Sequence, residues 1–190
     1  RSHDPRHFLS SGAQQPNPEV PERVNRLLAG AEDAGLERVA PSDRGLAPAA
    51  AVHSPEYLRF LETIYDRWQR IPEASEEVVP NIHPDRRDFS YPASAVGQAG
   101  YHMADTACPI SAETWESAYW SAQTAAEAAA MVLDGEKAAY ALCRPPGHHA
   151  FADMAGGFCF LNNSAIAAQV LRSRHERVAI LDVDLHHGNG

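Results

Sequence analysis

The sequence predicts an α/β fold in which helices cover both faces of an open parallel sheet. Three neighbouring segments carry the pattern. Residues 138–143 are a short apolar run, and residues 177–184 are a second run that is rich in β-branched side chains. Residues 162–171 between them have the apolar spacing of a helix. Such a strand–helix–strand crossover joins parallel strands, so the carboxyl ends of both strands should lie at one edge of the sheet.

The remaining apolar periodicity predicts helices at 20–34, from 54 onwards, and at 113–133. Pro21 suits the first turn of the first helix, and Gly35 ends it. The third helix has an alanine-rich stripe that is typical of core packing. Asn162 and Asn163 can cap the crossover helix, because their side chains accept hydrogen bonds from N–H groups of the first turn.

A long loop is predicted at 71–92, where the periodicity fails. It contains four prolines and a group of basic and aromatic side chains: Pro72, Pro80, Pro84, Pro92, Arg86, Arg87, Phe89 and Tyr91. Long loops within compact domains are usually functional or interfacial. We therefore expect an ordered loop, and a disordered surface excursion is the alternative.

The bulk composition excludes several classes of protein. A chain of 190 residues with 44% hydrophobic and 22% charged residues is typical of one globular domain rather than a disordered segment. The net charge of -9 argues against nucleic-acid and anionic-membrane partners. Three sparse cysteines and the lack of a long apolar run favour a cytoplasmic protein. We expect residues 1–190 to be the N-terminal portion of a single longer domain.

The segment LDVDLHHGNG places acids and histidines at the end of the second predicted strand. Alternate side chains of a strand point to the same face, so Asp182, Asp184 and His186 should share one face. Ligands of open α/β sheets collect beyond the carboxyl ends of the strands. Carboxylate and imidazole together are good ligands for Zn²⁺ or Fe²⁺. A solvated strand end without a metal is the alternative.

The segment RPPGHHA follows the first predicted strand. Two prolines and Gly147 should fix a rigid turn that presents His148 and His149 side by side. Both polar segments then lie at the same edge of the sheet and face one pocket. Metal ligands together with proton carriers are what metal-assisted hydrolysis requires.

These segments, in this order, resemble the zinc-dependent histone deacetylase superfamily. The resemblance rests on CRPPGHHA, GGFCFLNNSAIAAQ and RVAILDVDLHHGNG, and upstream on PEVPERVNRLL and VHSPEYLRFLE. Residues 81–118 are most similar to the bacterial acetylpolyamine amidohydrolases. The resemblance implies an arginase/deacetylase-like fold, of which residues 1–190 form the N-terminal portion of the catalytic domain.

The resemblance also implies two metal sites. Zinc, or alternatively Fe²⁺, would be held by Asp184 and His186, with a third ligand beyond Gly190. A structural potassium ion would be held by the backbone carbonyls of Asp182, Asp184 and His186.

Four catalytic positions follow from the same resemblance. His149 would be the general base and then the acid, and His148 would be its electrostatic partner. Asp182 would orient His148, and Asn189 would lie beside His149. The tyrosine that stabilises the transition state in this family would lie beyond Gly190.

Several positions match the family's substrate tunnel. Gly157 and Phe158 match its backbone and aromatic wall, and Arg23 matches an arginine of the internal acetate channel. The loop at 71–92 would narrow the pocket mouth and contact a second subunit, so a homodimer is expected.

The resemblance implies a zinc-dependent amidohydrolase acting on small acetylated amines, acetylpolyamines first. Val96 and Ala107 stand where similar enzymes carry glutamates that read a distal ammonium, so Asp105 or an acid of a partner chain would have to replace them. A class II type acetyl-lysine deacetylase is the alternative substrate class. An arginase-like ureohydrolase, with two metals, and a non-catalytic acyl-binding pseudo-enzyme are the rival functions.

Overall fold

The computed structural model describes residues 2–84 and 90–190. A β-hairpin opens the described chain and six helices follow. Their bounds are β1 His7–Ser10, β2 Ala13–Pro16, α1 Glu22–Asp33, α2 Ala47–Ala50, α3 Pro55–Trp68, α4 Ala95–His102, α5 Thr114–Leu133 and α6 Asn163–Arg172. No helix among the described residues has the length and apolar character needed to cross a membrane.

The hydrophobic core lies between α3, α4, α5 and α6. Alanines at 118, 122 and 126 give α5 a nearly flat, fully buried face, against which α6 packs closely. Large side chains fill the space on the α3 side, and they include Tyr57, Phe60, Leu61, Ile64, Met103, Ile110 and Phe160. Tyr57 donates its buried hydroxyl to the carbonyl of Phe160 at 2.7 Å, so its polar atom has a partner inside the core.

The predicted helices α1, α3, α5 and α6 are confirmed, and their caps explain where two of them begin. The hydroxyl of Ser54 accepts a hydrogen bond from the N–H of Tyr57 at 3.2 Å. The side-chain oxygen of Asn162 accepts one from the N–H of Ala165 at 3.0 Å. Both bonds satisfy N–H groups that the first turn of a helix leaves without a partner.

The open parallel sheet is not formed among the described residues. Their one named sheet is the antiparallel hairpin of β1 and β2, in which His7 pairs with Pro16. Residues 138–143 and 177–184 have no ladder partner there, and a strand needs a neighbour to satisfy its backbone N–H and C=O groups. Leu181 and Val183 are accordingly 87% and 86% exposed. The parallel pairing of these two segments stays a prediction.

The described parts of the loop at 71–92 are tied to the core. Val78 is fully buried and exchanges two backbone hydrogen bonds with Ile110, at 2.9 and 3.1 Å. Tyr91 makes a hydroxyl hydrogen bond of 2.9 Å to the Nε2 atom of His102. The basic and aromatic residues expected to shape this loop, Arg86, Arg87 and Phe89, lie outside the described residues.

Candidate active site

A turn held by buried side chains presents the two adjacent histidines. The carbonyl of Pro145 accepts hydrogen bonds from the Ser121 hydroxyl at 2.9 Å and from the Asn163 amide at 3.2 Å. The amide of Asn162 donates to the carbonyl of Ala150 at 3.1 Å. Helices α5 and α6 therefore fix both ends of the turn.

The histidine turn and the segment at 182–190 come together, although they are far apart in the sequence. The Nδ1 atom of His148 lies 2.9 Å from a carboxylate oxygen of Asp182. The Nδ1 atom of His149 lies 2.7 Å from the side-chain oxygen of Asn189. The N–H of Gly190 donates to the carbonyl of His148 at 3.0 Å. The structure thus joins all four residues for which the sequence predicts a catalytic role.

These contacts assign the tautomers of both rings. An ionised carboxylate and an amide oxygen only accept hydrogen bonds, so each Nδ1 carries a proton, and in the neutral form of each ring Nε2 keeps its lone pair. The rings of His148 and His149 are 4.1 Å apart and tilted by 44°. The backbone N–H of Asp184 and then the ring of His148 hold the pKa of Asp182 below its ordinary value. The pair can therefore offer two ring nitrogens to one substrate.

Asp184 and His186 form the candidate metal pair. One carboxylate oxygen of Asp184 accepts the backbone N–H of His186 at 2.8 Å and lies 3.2 Å from its Nδ1 atom. The N–H of His186 lowers the pKa of Asp184, which keeps this ligand ionised. The rings of His149 and His186 are 6.3 Å apart. Within residues 2–84 and 90–190, no group of three His, Cys, Asp or Glu side chains lies close enough together to hold a metal ion. A carboxylate and an imidazole are nevertheless suitable zinc ligands, so this pair fits zinc as a partial ligand set.

A tight turn borders the ring of His149. Gly156 and Cys159 exchange backbone hydrogen bonds of 3.1 and 2.8 Å, and the two residues between them are left-handed. The φ angles are 50° at Gly157 and 68° at Phe158. A side-chain carbon at Gly157 would overlap the ring of His149. Glycine suits this position, because the ring of His149 leaves no room for a Cβ and the left-handed conformation disfavours one.

The N-terminal hairpin touches the same turn. The ring of Phe8 in β1 meets the ring of Phe158 edge to face, with centroids 5.5 Å apart. The N–H of Leu9 donates to the carbonyl of Thr106 at 3.5 Å. The hairpin therefore packs against Phe158, the residue predicted to form the aromatic tunnel wall.

Asp105 is half-buried and bonded to the backbone through both oxygens. One oxygen accepts the N–H of Ala107 at 2.8 Å, and the other accepts the N–H of Gly157 at 2.9 Å. Val96, in α4, packs against the hydrophobic core. The predicted ammonium partner is thus already engaged with the turn beside His149.

Arg23 belongs to a cluster with a buried glutamate. It pairs with Glu19, which is 1% exposed and also meets Arg144. The Nε atom of Arg144 lies 2.6 Å from Glu19 Oε1, in an ion pair that lacks the angle of a hydrogen bond. Arg144 Nη2 donates to the Glu19 carbonyl at 2.7 Å. The cluster connects α1 to the start of the histidine turn, and a role for Arg23 at an acetate channel stays a prediction.

The sequence did not identify His53, which is 3% exposed. Its Nδ1 atom lies 2.9 Å from the carbonyl of Phe151, and its Nε2 atom accepts the N–H of Asn162 at 2.9 Å. An N–H group can only donate, so the ring must be neutral, and burial accordingly lowers its pKa. The position of His53 directly before Ser54 and Pro55, where α3 begins, was the sequence signal that could have identified it.

The chain matches a known family over most of its length. The sequence model of the histone deacetylase domain family matches residues 17–190 of this chain.

Individual relatives agree with that match. The acetylpolyamine amidohydrolase of Burkholderia pseudomallei is 53% identical over 189 residues, which are 99% of this chain and 55% of the relative. Acetylpolyamine amidohydrolase 1 of Pseudomonas aeruginosa is 45% identical over 96% of this chain and 54% of its own length. The crystal structure of the acetylpolyamine aminohydrolase from Burkholderia pseudomallei superposes with a TM-score of 0.95 at 53% identity, over 99% of this chain and 55% of that one. The chain spans about half the length of these relatives.

Proposed function

This chain belongs to the histone deacetylase family, and we propose that it carries the proton-transfer residues of a metal-dependent amidohydrolase that removes acetyl groups from acetylated amines. One observation carries the proposal. Two adjacent histidines have their Nδ1 atoms bonded to Asp182 and Asn189, beside the pair Asp184 and His186. The sequence relatives of the chain support the same proposal, since they include acetylpolyamine amidohydrolases.

The two histidines have different tasks in this proposal. His149 has a neutral amide partner, so its Nε2 atom takes a proton from the attacking water and later delivers it to the leaving amine. His148 has a carboxylate partner and acts as the electrostatic partner of His149 beside the reacting carbonyl. The reaction consumes one water and one amide, and it releases acetate and the free amine.

Asp184 and His186 would hold a divalent ion, zinc first and Fe²⁺ second. When bound, such an ion polarises an amide carbonyl and lowers the pKa of a water molecule. Two protein ligands are fewer than the three of a catalytic zinc site, so a further ligand must come from another part of the protein. We also propose that the backbone carbonyls of Asp182, Asp184 and His186 hold a structural potassium ion.

For the substrate, we propose an acetylpolyamine first and an acetyl-lysine side chain second. The names of relatives at 53% and 45% identity support this order, and so does the net charge of -9, which suits a cationic substrate. The absence of carboxylates at positions 96 and 107, which are Val96 and Ala107, weakens the case for an acetylpolyamine, because an unpaired ammonium is costly to bring into an apolar tunnel.

The finer architecture is proposed on the same basis. Residues 138–143 and 177–184 would pair as parallel strands within the complete domain. The loop at 71–92, anchored through Val78, would narrow the pocket mouth and contact the second subunit of a homodimer. All three cysteines are free, which supports a cytoplasmic site of action.

A comparison of substrates on the complete protein tests the function. We expect the highest kcat/KM on acetylputrescine or acetylspermidine, and a lower value on an acetyl-lysine peptide. A peptide preferred by about tenfold, or about 1.4 kcal/mol of transition-state stabilisation, would overturn the polyamine assignment. A metal-loaded protein that hydrolyses none of the three substrates would favour the non-catalytic alternative.

Substitution of His149 tests the proton carrier. His149→Ala should lower kcat by about 10²–10⁴, the loss typical of a missing general base, while the metal content stays at about one ion per chain. Near-normal turnover would remove His149 from this role. Two bridged ions per chain in the wild-type protein would favour the ureohydrolase alternative.

A further inference from the structure

The turn at 156–159 uses only the backbone N–H groups of its two outer residues for its own hydrogen bonds. In a two-residue hairpin turn the outer residues bond to each other, as Gly156 and Cys159 do here, and both inner residues take positive φ angles. The N–H of Gly157 is not used within such a turn. A carboxylate oxygen of Asp105 accepts this N–H at 2.9 Å.

Asp105 is itself held in place. Its other oxygen accepts the N–H of Ala107 at 2.8 Å, which fixes the carboxylate in a local turn. The two chain segments are docked by further backbone bonds, since Ala104 donates to Ala155 at 2.7 Å and Ala155 donates to His102 at 2.8 Å. The carboxylate is therefore a rigid support rather than a free side chain at a pocket mouth.

The supported turn bears directly on a proposed catalytic ring. Gly157 lies so close to His149 that a Cβ would overlap the imidazole. Phe158 holds a left-handed conformation that costs about 1–3 kcal/mol and persists only where surrounding contacts impose it. The bond from Gly157 to Asp105 is such a contact, and the edge of Phe8 against Phe158 is another.

We infer that Asp105 is a positioning residue, which holds the Gly157–Phe158 turn against His149 and does not serve to read a substrate cation. The inference rests on the proposed function, because His149 matters to the reaction only in an amidohydrolase. Each oxygen of the Asp105 carboxylate already accepts a backbone N–H, so the position of this carboxylate is set by the protein backbone. A positioning role and an ammonium-binding role make different kinetic predictions.

The test compares Asp105→Ala with wild type in the complete protein, on acetylputrescine and on its neutral counterpart N-pentylacetamide. A displaced turn should lower kcat on both substrates by the same factor, between about tenfold and a hundredfold, with little change in KM. Asp105→Asn keeps one acceptor oxygen and should recover part of the loss. Asp66→Ala, which removes an exposed carboxylate from α3, is the matched control and should leave kcat unchanged.

A second measurement follows the contact itself. Amide hydrogen exchange at Gly157 should be slow in the wild type and faster in Asp105→Ala. A loss confined to acetylputrescine and expressed in KM would overturn the inference in favour of ammonium binding, and unchanged exchange at Gly157 would overturn it as well. If wild type hydrolyses no acetylated amine, the proposed function fails, while the exchange data still decide whether Asp105 holds the turn.

Discussion

At the scale of single residues, Gly157 shows how little space separates the backbone from a proposed catalytic ring. We expect Gly157→Ala to lower kcat by about tenfold to a hundredfold, because the new Cβ would displace His149 or the turn. The φ angle of 50° should add a stability loss of about 1–2 kcal/mol. Kinetics and thermal unfolding of the complete protein measure the two effects.

Gly35 provides the matched control for this substitution. It has a φ angle of 74°, and a Cβ there would meet nothing within 4 Å. Gly35→Ala should therefore show a similar loss of stability with an unchanged kcat. Equal kinetics of the two variants would show that the space beside His149 has no catalytic importance.

His3 links the stability of the protein to pH. It is 1% exposed, and burial, followed by the charge of Arg144, lowers its pKa from 6.5 to about 3. Below pH 6.5 the unfolded chain binds a proton that the folded chain rejects, so stability is complete above this pH and is lost as the pH falls towards 3. At about pH 5 the loss from this group should be about 2 kcal/mol.

The substitution His3→Phe tests this prediction. A phenyl ring can keep the edge contact with Phe160, which has a centroid distance of 5.8 Å, and it cannot be protonated. Urea unfolding at about pH 5 and about pH 7.5 should show a smaller acid loss in the variant than in wild type. The exposed His175→Gln is the control, and an acid loss that is the same in all three proteins contradicts the prediction.

At the scale of elements, the caps determine where the confirmed helices begin. Ser54→Ala should destabilise the protein by about 1 kcal/mol, because the N–H of Tyr57 loses its acceptor at the start of α3. Ser54→Asp keeps an acceptor and should stay near the wild-type stability. Urea denaturation of both variants is the measurement, and equal losses would exclude the cap as the cause.

Helix α4 was not predicted from the sequence, and its composition explains why. The segment Ala95–His102 contains two glycines within eight residues, so its helical propensity is low. Gly100 is required by packing, since a side-chain carbon there would overlap the carbonyl of Ile82. The helix forms for two reasons: Ser94 caps its first turn, and the core buries one of its faces. The cap is local in the sequence, whereas burial in the core depends on distant residues.

At the scale of the whole molecule, the pair of Glu19 and Arg144 joins the N-terminal segment to the start of the histidine turn. Both side chains are almost fully buried, with 1% and 6% exposed. Glu19→Ala should lower the free energy of unfolding by about 3–5 kcal/mol, because the buried guanidinium of Arg144 then loses its carboxylate partner. In the double variant with Arg144→Met the loss should be smaller than the sum of the single losses.

Chemical denaturation of the four proteins in this cycle measures the coupling. Glu22→Ala is the control, since its pair with Arg26 lies at the surface and should contribute little to stability. A loss for Glu19→Ala that is no larger than that of the control would show that the buried pair does not stabilise the connection.

Much of the local structure could be predicted from the sequence. The periodicity predicted α1, α3, α5 and α6 to within a few residues, because an amphipathic helix is encoded by neighbours three and four positions apart. The rigid turn before the histidines was predicted for a similar reason, since proline and glycine act on their own backbone. The sequence missed the β1–β2 hairpin, whose strands are short and mostly exposed.

What the sequence by itself determined is therefore the set of chemical groups and the local frame that carries them: tandem histidines, two acids and an asparagine beside predicted strand ends. Only the tertiary structure decided which group meets which. Asp105 supports Gly157 across 52 positions of the chain, and His53 reaches Asn162 across 109. The physical reason is that a hydrogen bond between distant segments depends on how several elements pack together, and no local spacing records that arrangement.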